Sequence, residues 1–318
     1  MRSPNPPLVV LAGATATGKT ELAIRLGEAI QAAGRPAAII SADSRQVFRG
    51  LDIGTAKASA ADRARVPHLG LDLVEPDEPF SVADFAAHAR AALATIAAEG
   101  GVAVLAGGTG LYLRAVGRGL DIEALPSDPA VRAALEADLS TDGLEPLVER
   151  LRALAPAAAE RIDVRNPRRV VRALEVAEIE GDAVLPAMRG YPGPNAWLGL
   201  SVEPAAHAER IADRARAQFD AGLLDEARAL RQRFDPTLPA FSAIGYREAW
   251  AVLDGELTRD AAIELDARRN VAFAKRQRTW FRAEPGIDWL DATDDVPVEA
   301  AFDRIRPLLD ATDGSRER

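Results

Sequence analysis

A chain of 318 residues, 48% hydrophobic and 27% charged, can bury one or two substantial cores, and no apolar run approaches the ~20 residues that cross a bilayer, so no membrane association is expected. The first seven residues carry one arginine and no apolar stretch, unlike a secretory signal, and a cytoplasmic location is expected. The absence of cysteine excludes disulfides, thiolate zinc sites and cysteine nucleophiles, three scattered histidines (His68, His88, His207) make a poor metal cluster, and a net charge of -9 speaks against a nucleic-acid partner unless basic residues are concentrated locally.

Leu8 to Ala12 reads as a short buried strand, followed by a glycine-rich turn and a helix over Glu21 to Ala32. A second apolar run, Ala37 to Ser41, ends at Asp43. Ser81 is placed to cap an alanine-rich helix over Val82 to Glu99, and a third run, Gly101 to Ala106, leads into Gly107-Gly108-Thr109-Gly110. Short buried strands alternating with helices predict a parallel sheet covered on both faces, with ligands beyond the carboxyl ends of the strands. From about Asp121 to Tyr191 helical segments are broken by Pro126, Pro129, Pro146, Pro156, Pro167 and Pro186, which reads as a helical insertion. A strand over Ala196 to Val202 returns to the sheet. Helices follow at His207 to Leu230, Tyr246 to Leu253 and Ala261 to Arg282, and Asp310 to Arg318 reads as a polar tail. The expected division is a core of 1–120 and 192–312, an insertion of 121–191 and a tail of 313–318.

Gly13-Ala14-Thr15-Ala16-Thr17-Gly18-Lys19-Thr20 has the spacing of a phosphate loop and sits between a strand and a helix, as that loop requires. Its amides converge on phosphate oxygens, Lys19 neutralises charge, and Thr20 is placed to hold a magnesium ion. The fold class is therefore α/β, a P-loop NTPase-like parallel sheet with helices on both faces and a helical insertion. An ordinary ATPase would place an aspartate at the end of a later strand, yet that strand here ends in Gly-Gly-Thr-Gly. The carboxylate stands instead in Ala42-Asp43-Ser44-Arg45-Gln46. Asp43 is the leading general base for a small acceptor, and a turn or helix-cap aspartate is the plainer alternative. Two stretches are locally basic. Ala267 to Ala283 holds six basic residues and no acid, and Arg161 to Arg172 holds five arginines against Asp163 alone. They are either patches facing one polyanion or solvated helix faces.

Together these phrases resemble the tRNA dimethylallyltransferases, in a bacterial form without the zinc finger of eukaryotic relatives. The resemblance runs through GATATGKT (Gly13 to Thr20), ADSRQVFRGLDIGTAK (Ala42 to Lys57), VPHLGLDLVEP (Val66 to Pro76), FSVADF (Phe80 to Phe85) and GGTGLYL (Gly107 to Leu113). It continues through NPRRVVRALEV (Asn166 to Val176), AIGYRE (Ala243 to Glu248) and KRQRTWFR (Lys275 to Arg282). Departures are Ala14 for the usual proline, Thr17 for serine, Leu69 for the second histidine of a His-His pair, and Glu-Gly-Asp-Ala after Val176 in place of threonine-glycine-lysine-proline.

The resemblance implies transfer of a dimethylallyl group from dimethylallyl diphosphate to N6 of the adenosine 3′ of the anticodon, with Mg2+ as cofactor and the tRNA anticodon stem-loop as partner; a monomer is expected, though the sequence itself does not give the oligomeric state. It makes Asp43 the base, gives Thr15 a part in positioning the reacting groups, and sets Arg214 beside Lys19 and Thr20 on the diphosphate. It also implies tRNA contacts from Asp43, Ser44, Arg45 and Gln46, from Thr109 and Arg132, and from Arg168, Arg169, Val170, Val171 and Arg172. Further contacts are implied from Ser242, Ala243, Ile244, Gly245, Tyr246 and Arg247, and from Lys275, Arg276, Gln277, Arg278, Thr279, Trp280, Phe281 and Arg282. Trp280 and Phe281 offer a stacking face, but aromatics on a helix are more often core, and core is the favoured reading. The rivals are an adenine-nucleotide prenyltransferase of the cytokinin-making kind, a P-loop small-molecule kinase that binds ATP, and a non-catalytic tRNA-binding protein.

Overall fold

A computed structural model describes residues 5–122, 125–182 and 187–313. Met1 to Pro4, Pro186 and the tail beyond residue 313 lie outside the described residues. These residues gather into two units, one from Leu120–Arg189 and one made of the chain on either side of it.

The larger unit is built on six parallel strands: β1 (Leu8–Gly13), β2 (Ala37–Ser41), β3 (His68–Leu69), β4 (Val102–Gly107), β5 (Asn195–Ser201) and β6 (Asp288–Asp291). Their order across the sheet is β3-β2-β4-β1-β5-β6. The central strand β1 pairs with β4 on one side (Leu8 opposite Ala103) and β5 on the other (Leu8 opposite Asn195). Buried throughout, β1 sends Val9 and Leu11 to one face and Leu8, Val10 and Ala12 to the other, the period-two pattern of a strand covered on both sides.

Helices α1 (Lys19–Ala32) and, at the end of the chain, α13 (Val298–Asp313) cover the Val9 face with Leu22, Leu26, Ile30, Ala301 and Ile305. The Leu8 face is covered by α3 (Val82–Ala98) and α4 (Gly110–Gly117), with α9 (Pro204–Asp220), α10 (Leu223–Arg233), α11 (Tyr246–Leu253) and α12 (Arg259–Arg282) contributing to the same core. The remaining α-helix of this unit, α2 (Ala60–Arg65), is short and starts in a Ser59–Asp62 capping box, and a 3-10 turn at Pro239–Ser242 precedes α11. Ser81 and Asp84 make a second such box at α3, as the Ser81 cap predicted.

Several elements differ from the sequence expectation: β3, α2 and α4 were not read from the sequence, and three further differences have visible reasons. The helix predicted over His207 to Leu230 is two helices, because Gly222 adopts a left-handed φ of 103° between α9 and α10. β6 and α13 were not expected. β6 is a four-residue edge strand, Asp-Trp-Leu-Asp, with no apolar run, and α13 extends through Asp313 into what read as tail.

The smaller unit holds α5 (Pro129–Asp142), α6 (Leu144–Leu154), α7 (Pro156–Arg161) and α8 (Pro167–Glu180). Pro129, Pro156 and Pro167 stand in the first turn of α5, α7 and α8, where a missing N–H costs nothing, so these prolines start helices rather than interrupt them. Its core is Leu135, Leu147, Val148, Leu151, Val170, Val171 and Leu174.

Candidate active site

β1 delivers its last residues into the loop that opens α1. Ala16 (φ 59°) and Gly18 (φ 89°) turn the backbone left-handed, which brings the loop around into a cradle. Inside it, the Thr17 hydroxyl donates to Ala14 O at 2.9 Å, and the Lys19 ammonium donates to the same carbonyl. Burial, reinforced by the Arg214 charge and opposed by Asp43, pushes Lys19 down to about 7. A cation held at that cost is stabilised by an arriving anion.

Thr15 is held at three atoms by side chains from distant helices. Gln277 of α12 accepts from its N–H at 2.8 Å, His207 Nε2 of α9 donates to its carbonyl at 2.8 Å, and Arg214 Nη1 donates to its hydroxyl at 2.9 Å. Gln277 also donates to Gly108 O at 2.9 Å, so one amide joins the phosphate loop to the Gly-Gly-Thr-Gly turn. Burial lowers the Arg214 pKa, while Asp43 and Asp266 act to raise it.

The strand ends β2 and β4 meet closely. A Cβ on Gly107 would fall 2.1 Å from Ala42 O, and one on Gly110 would fall 2.4 Å from the Trp280 ring, so these two motif glycines exist for backbone approach. Thr109 then accepts from Ser44 N–H at 3.0 Å, which locks the turn carrying Asp43 against α4. Asp43 Oδ1 accepts from Arg45 N–H at 2.8 Å, so the turn role raised as the plainer reading is present. It occupies one oxygen and leaves the other without a partner among the described residues.

These groups face one cleft of about 490 Å³. Of the residues singled out in the sequence, Thr15, Lys19, Thr20, Asp43, Ser44, Arg45, Gln46, Thr109, Arg214, Ser242, Ala243, Ile244, Arg276 and Gln277 line it. Several others do not. Tyr246 is fully buried and donates to Glu226 at 2.8 Å, while Phe281 is 1% exposed in the core. Trp280 lies against Gly110 with the Arg114 guanidinium 4.5 Å from its ring centroid, so both aromatics are packing residues. Lys275, Thr279 and Arg282 are exposed on α12, Arg278 is half-buried there, Gly245 is buried and Arg247 is exposed.

Within the smaller unit, Arg132 and Arg172 both pair with Glu175 at 2.7 Å. That carboxylate is fully buried and also accepts from Ser127 and the Asp128 N–H, so the two arginines complete a buried ion cluster. Burial alone would raise Glu175; hydrogen bonds from Arg132, Arg172 and Ser127 hold it below the usual range. Val170 and Val171 are core residues, and Arg168 and Arg169 are exposed.

The sequence reading missed His207, Gln218, Glu226, Asn270 and Phe273. Glu226 accepts from the N–H groups of Asp52 (3.2 Å), Ile53 (2.8 Å) and Gly54 (3.1 Å), and Gln218 donates to Ile53 O and Gly54 O, so the loop leading to Thr55 and Ala56 is fixed over the cleft. A signal existed for the two that lie on α9, His207 and Gln218. His207, Arg214 and Gln218 fall at helical spacing on the face that also carries Ile211, Ala215 and Phe219, and polar groups on an apolar face have partners to find.

Known proteins resemble this chain over most of its length. The family model described as IPP transferase matches residues 46–284. A tRNA dimethylallyltransferase of Anaeromyxobacter sp. (strain K) is 47% identical over 298 residues, covering 92% of this chain and 95% of its own. One from Roseiflexus sp. (strain RS-1) is 42% identical over 310 residues, covering 96% and 99%. The solved full-length tRNA isopentenylpyrophosphate transferase of Bacillus halodurans matches with a TM-score of 0.70 at 35% identity, over 98% of this chain and 99% of that one. With a family match over most of its length and relatives this similar across nearly all of it, the chain belongs to the IPP transferase family.

Proposed function

We propose that this protein transfers a dimethylallyl group from dimethylallyl diphosphate to N6 of the adenosine 3′ of the anticodon in tRNA, releasing diphosphate. The observation that carries this reading is the meeting of Lys19, Arg214 and the Asp43 carboxylate in one cleft, an anion cradle beside a base. The diphosphate sits on the phosphate loop with Lys19 and Arg214 on its oxygens. As N6 attacks the allylic carbon, the carbon–oxygen bond breaks and its electrons leave with diphosphate, while Asp43 takes the N6 proton. Thr15, fixed at three atoms, keeps the loop from shifting as charge moves.

Magnesium is the expected cofactor. Mg2+ keeps several waters and takes few protein ligands, and the exposed Thr20 hydroxyl on the first turn of α1, lining the cleft, suits that mode. Among the described residues no group of three or more acidic or histidine side chains forms an all-protein cage. When bound beside the diphosphate, the ion neutralises charge on the leaving group. The exposed Lys275, Arg276 and Arg282 on α12, and Arg168 and Arg169 on α8, supply phosphate contacts for tRNA.

The deciding experiment offers radiolabelled dimethylallyl diphosphate with bulk tRNA, AMP or ATP in separate reactions. Label entering tRNA alone is the expected result. Label in AMP or ATP would make this a nucleotide prenyltransferase.

A further inference from the structure

Gln277, Phe273 and Asn270 lie on one side of α12, four and three residues apart, and all three line the cleft. Gln277 marks its floor, where it grips Thr15 and Gly108. Four residues toward the helix N-terminus place Phe273 about 6 Å from Gln277 along the axis, and exposure rises from 7% at Gln277 to 37% at Phe273, which puts Phe273 toward the mouth. A diphosphate on the phosphate loop occupies the floor, so the allylic carbon and then the acceptor base lie outward of it. Phe273 is the one Phe, Tyr or Trp side chain lining the cleft among the described residues, and it is 37% exposed. Trp280 and Phe281, the aromatic pair visible in the sequence, are committed to packing. The Arg276 guanidinium stands 5.7 Å from the Phe273 ring centroid, so cation and aromatic face are offered together, the pairing that receives an unstacked base and its phosphate.

We propose that Phe273 is a base-binding residue, its ring providing the face on which the acceptor adenine stacks after leaving its loop. The assignment rests on tRNA being the acceptor. Extrusion of that base loses its stacking within the anticodon loop, and the exposed ring returns part of it at the point of reaction. Leucine would keep volume and apolarity without a planar face.

The test uses the full chain and an anticodon stem-loop carrying either adenosine or an abasic unit at the acceptor position. Binding is measured without donor, and transfer is measured with the intact stem-loop. Phe273→Ala and Phe273→Leu are expected to weaken binding of the intact stem-loop roughly tenfold or more, while Phe273→Tyr stays near wild type. On the abasic stem-loop the Ala and Leu variants should bind as wild type does, because ring and base form one interaction. The KM for dimethylallyl diphosphate should not change. Equal losses on intact and abasic stem-loops would overturn the proposal, as would a raised donor KM with unchanged stem-loop affinity, which would assign the ring to the prenyl chain. A wild-type protein that labels no tRNA at all would instead overturn the functional reading beneath it.

Discussion

Arg214 donates through Nη1 to the Thr15 hydroxyl at 2.9 Å, so a largely desolvated guanidinium from α9 is aimed at the phosphate loop before any ligand arrives. Its second nitrogen, Nη2, reaches Thr55 O at 3.5 Å, which sets the plane of the fork. Such a group need not reorganise when charge develops on the leaving diphosphate.

Arg214→Lys keeps a positive charge but loses the planar fork. Prenyl transfer in a single turnover at saturating donor should fall by roughly a hundredfold, the scale on which a preorganised donor to developing negative charge acts. If turnover stays within a few-fold of wild type, Arg214 serves only to hold Thr15.

Asp43→Asn retains a carbonyl oxygen for the Arg45 N–H and therefore the turn. Stem-loop binding and thermal stability should persist while the chemical step slows by at least about a hundredfold, the usual range for a general base. Near-normal turnover would confine Asp43 to its turn.

Lys19, pushed down to about 7 by burial and Arg214, is largely neutral above that pH in the free protein. A bound diphosphate favours the ammonium, so binding above pH 7 takes up a proton, and affinity weakens as pH rises beyond 7. Below 7 the residue is already charged and contributes no slope. Calorimetry of a prenyl diphosphate analogue at pH 8, in buffers of different ionisation enthalpy, measures the uptake. Lys19→Ala should lose it; equal uptake in that variant would place the proton on the ligand.

Lys275 and Arg282 are exposed on α12 with no acidic partner among the described residues. Changing both to Gln should weaken all tRNAs about equally and lower the slope of log affinity against log salt by about 1.5. Donor affinity should not change. An unaltered slope in a folded double variant would make this surface a solvated helix face.

Much of the fold was legible because its signals are local. The phosphate loop, the Ser81 cap and the buried strands each need only a few adjacent residues. The site's precision was not, because Thr15 is held by residues 262, 192 and 199 positions away, and such pairings leave no trace in the loop itself. The glycines of Gly107-Gly108-Thr109-Gly110 were recognised as a motif, yet their reason, the nearness of Ala42 and Trp280, exists only in three dimensions. The basic count on α8 overstated what that helix offers, since Arg172 is drawn to Glu175. The break at Gly222 was missed because charged and apolar residues continue at helical spacing on both sides of it.

The Glu226 carboxylate joins two stretches that form the rim of the cleft. It binds the amides of residues 52–54 and, through the Tyr246 hydroxyl, the helix that follows the 242–245 turn. Neither stretch can leave without stripping that carboxylate of its partners, so the rim behaves as one cooperative opening unit rather than two independent flaps. Its amides at Ile53 and Gly54 should then share one hydrogen-exchange protection, and a stem-loop seated on the turn would slow exchange in a loop it need not touch.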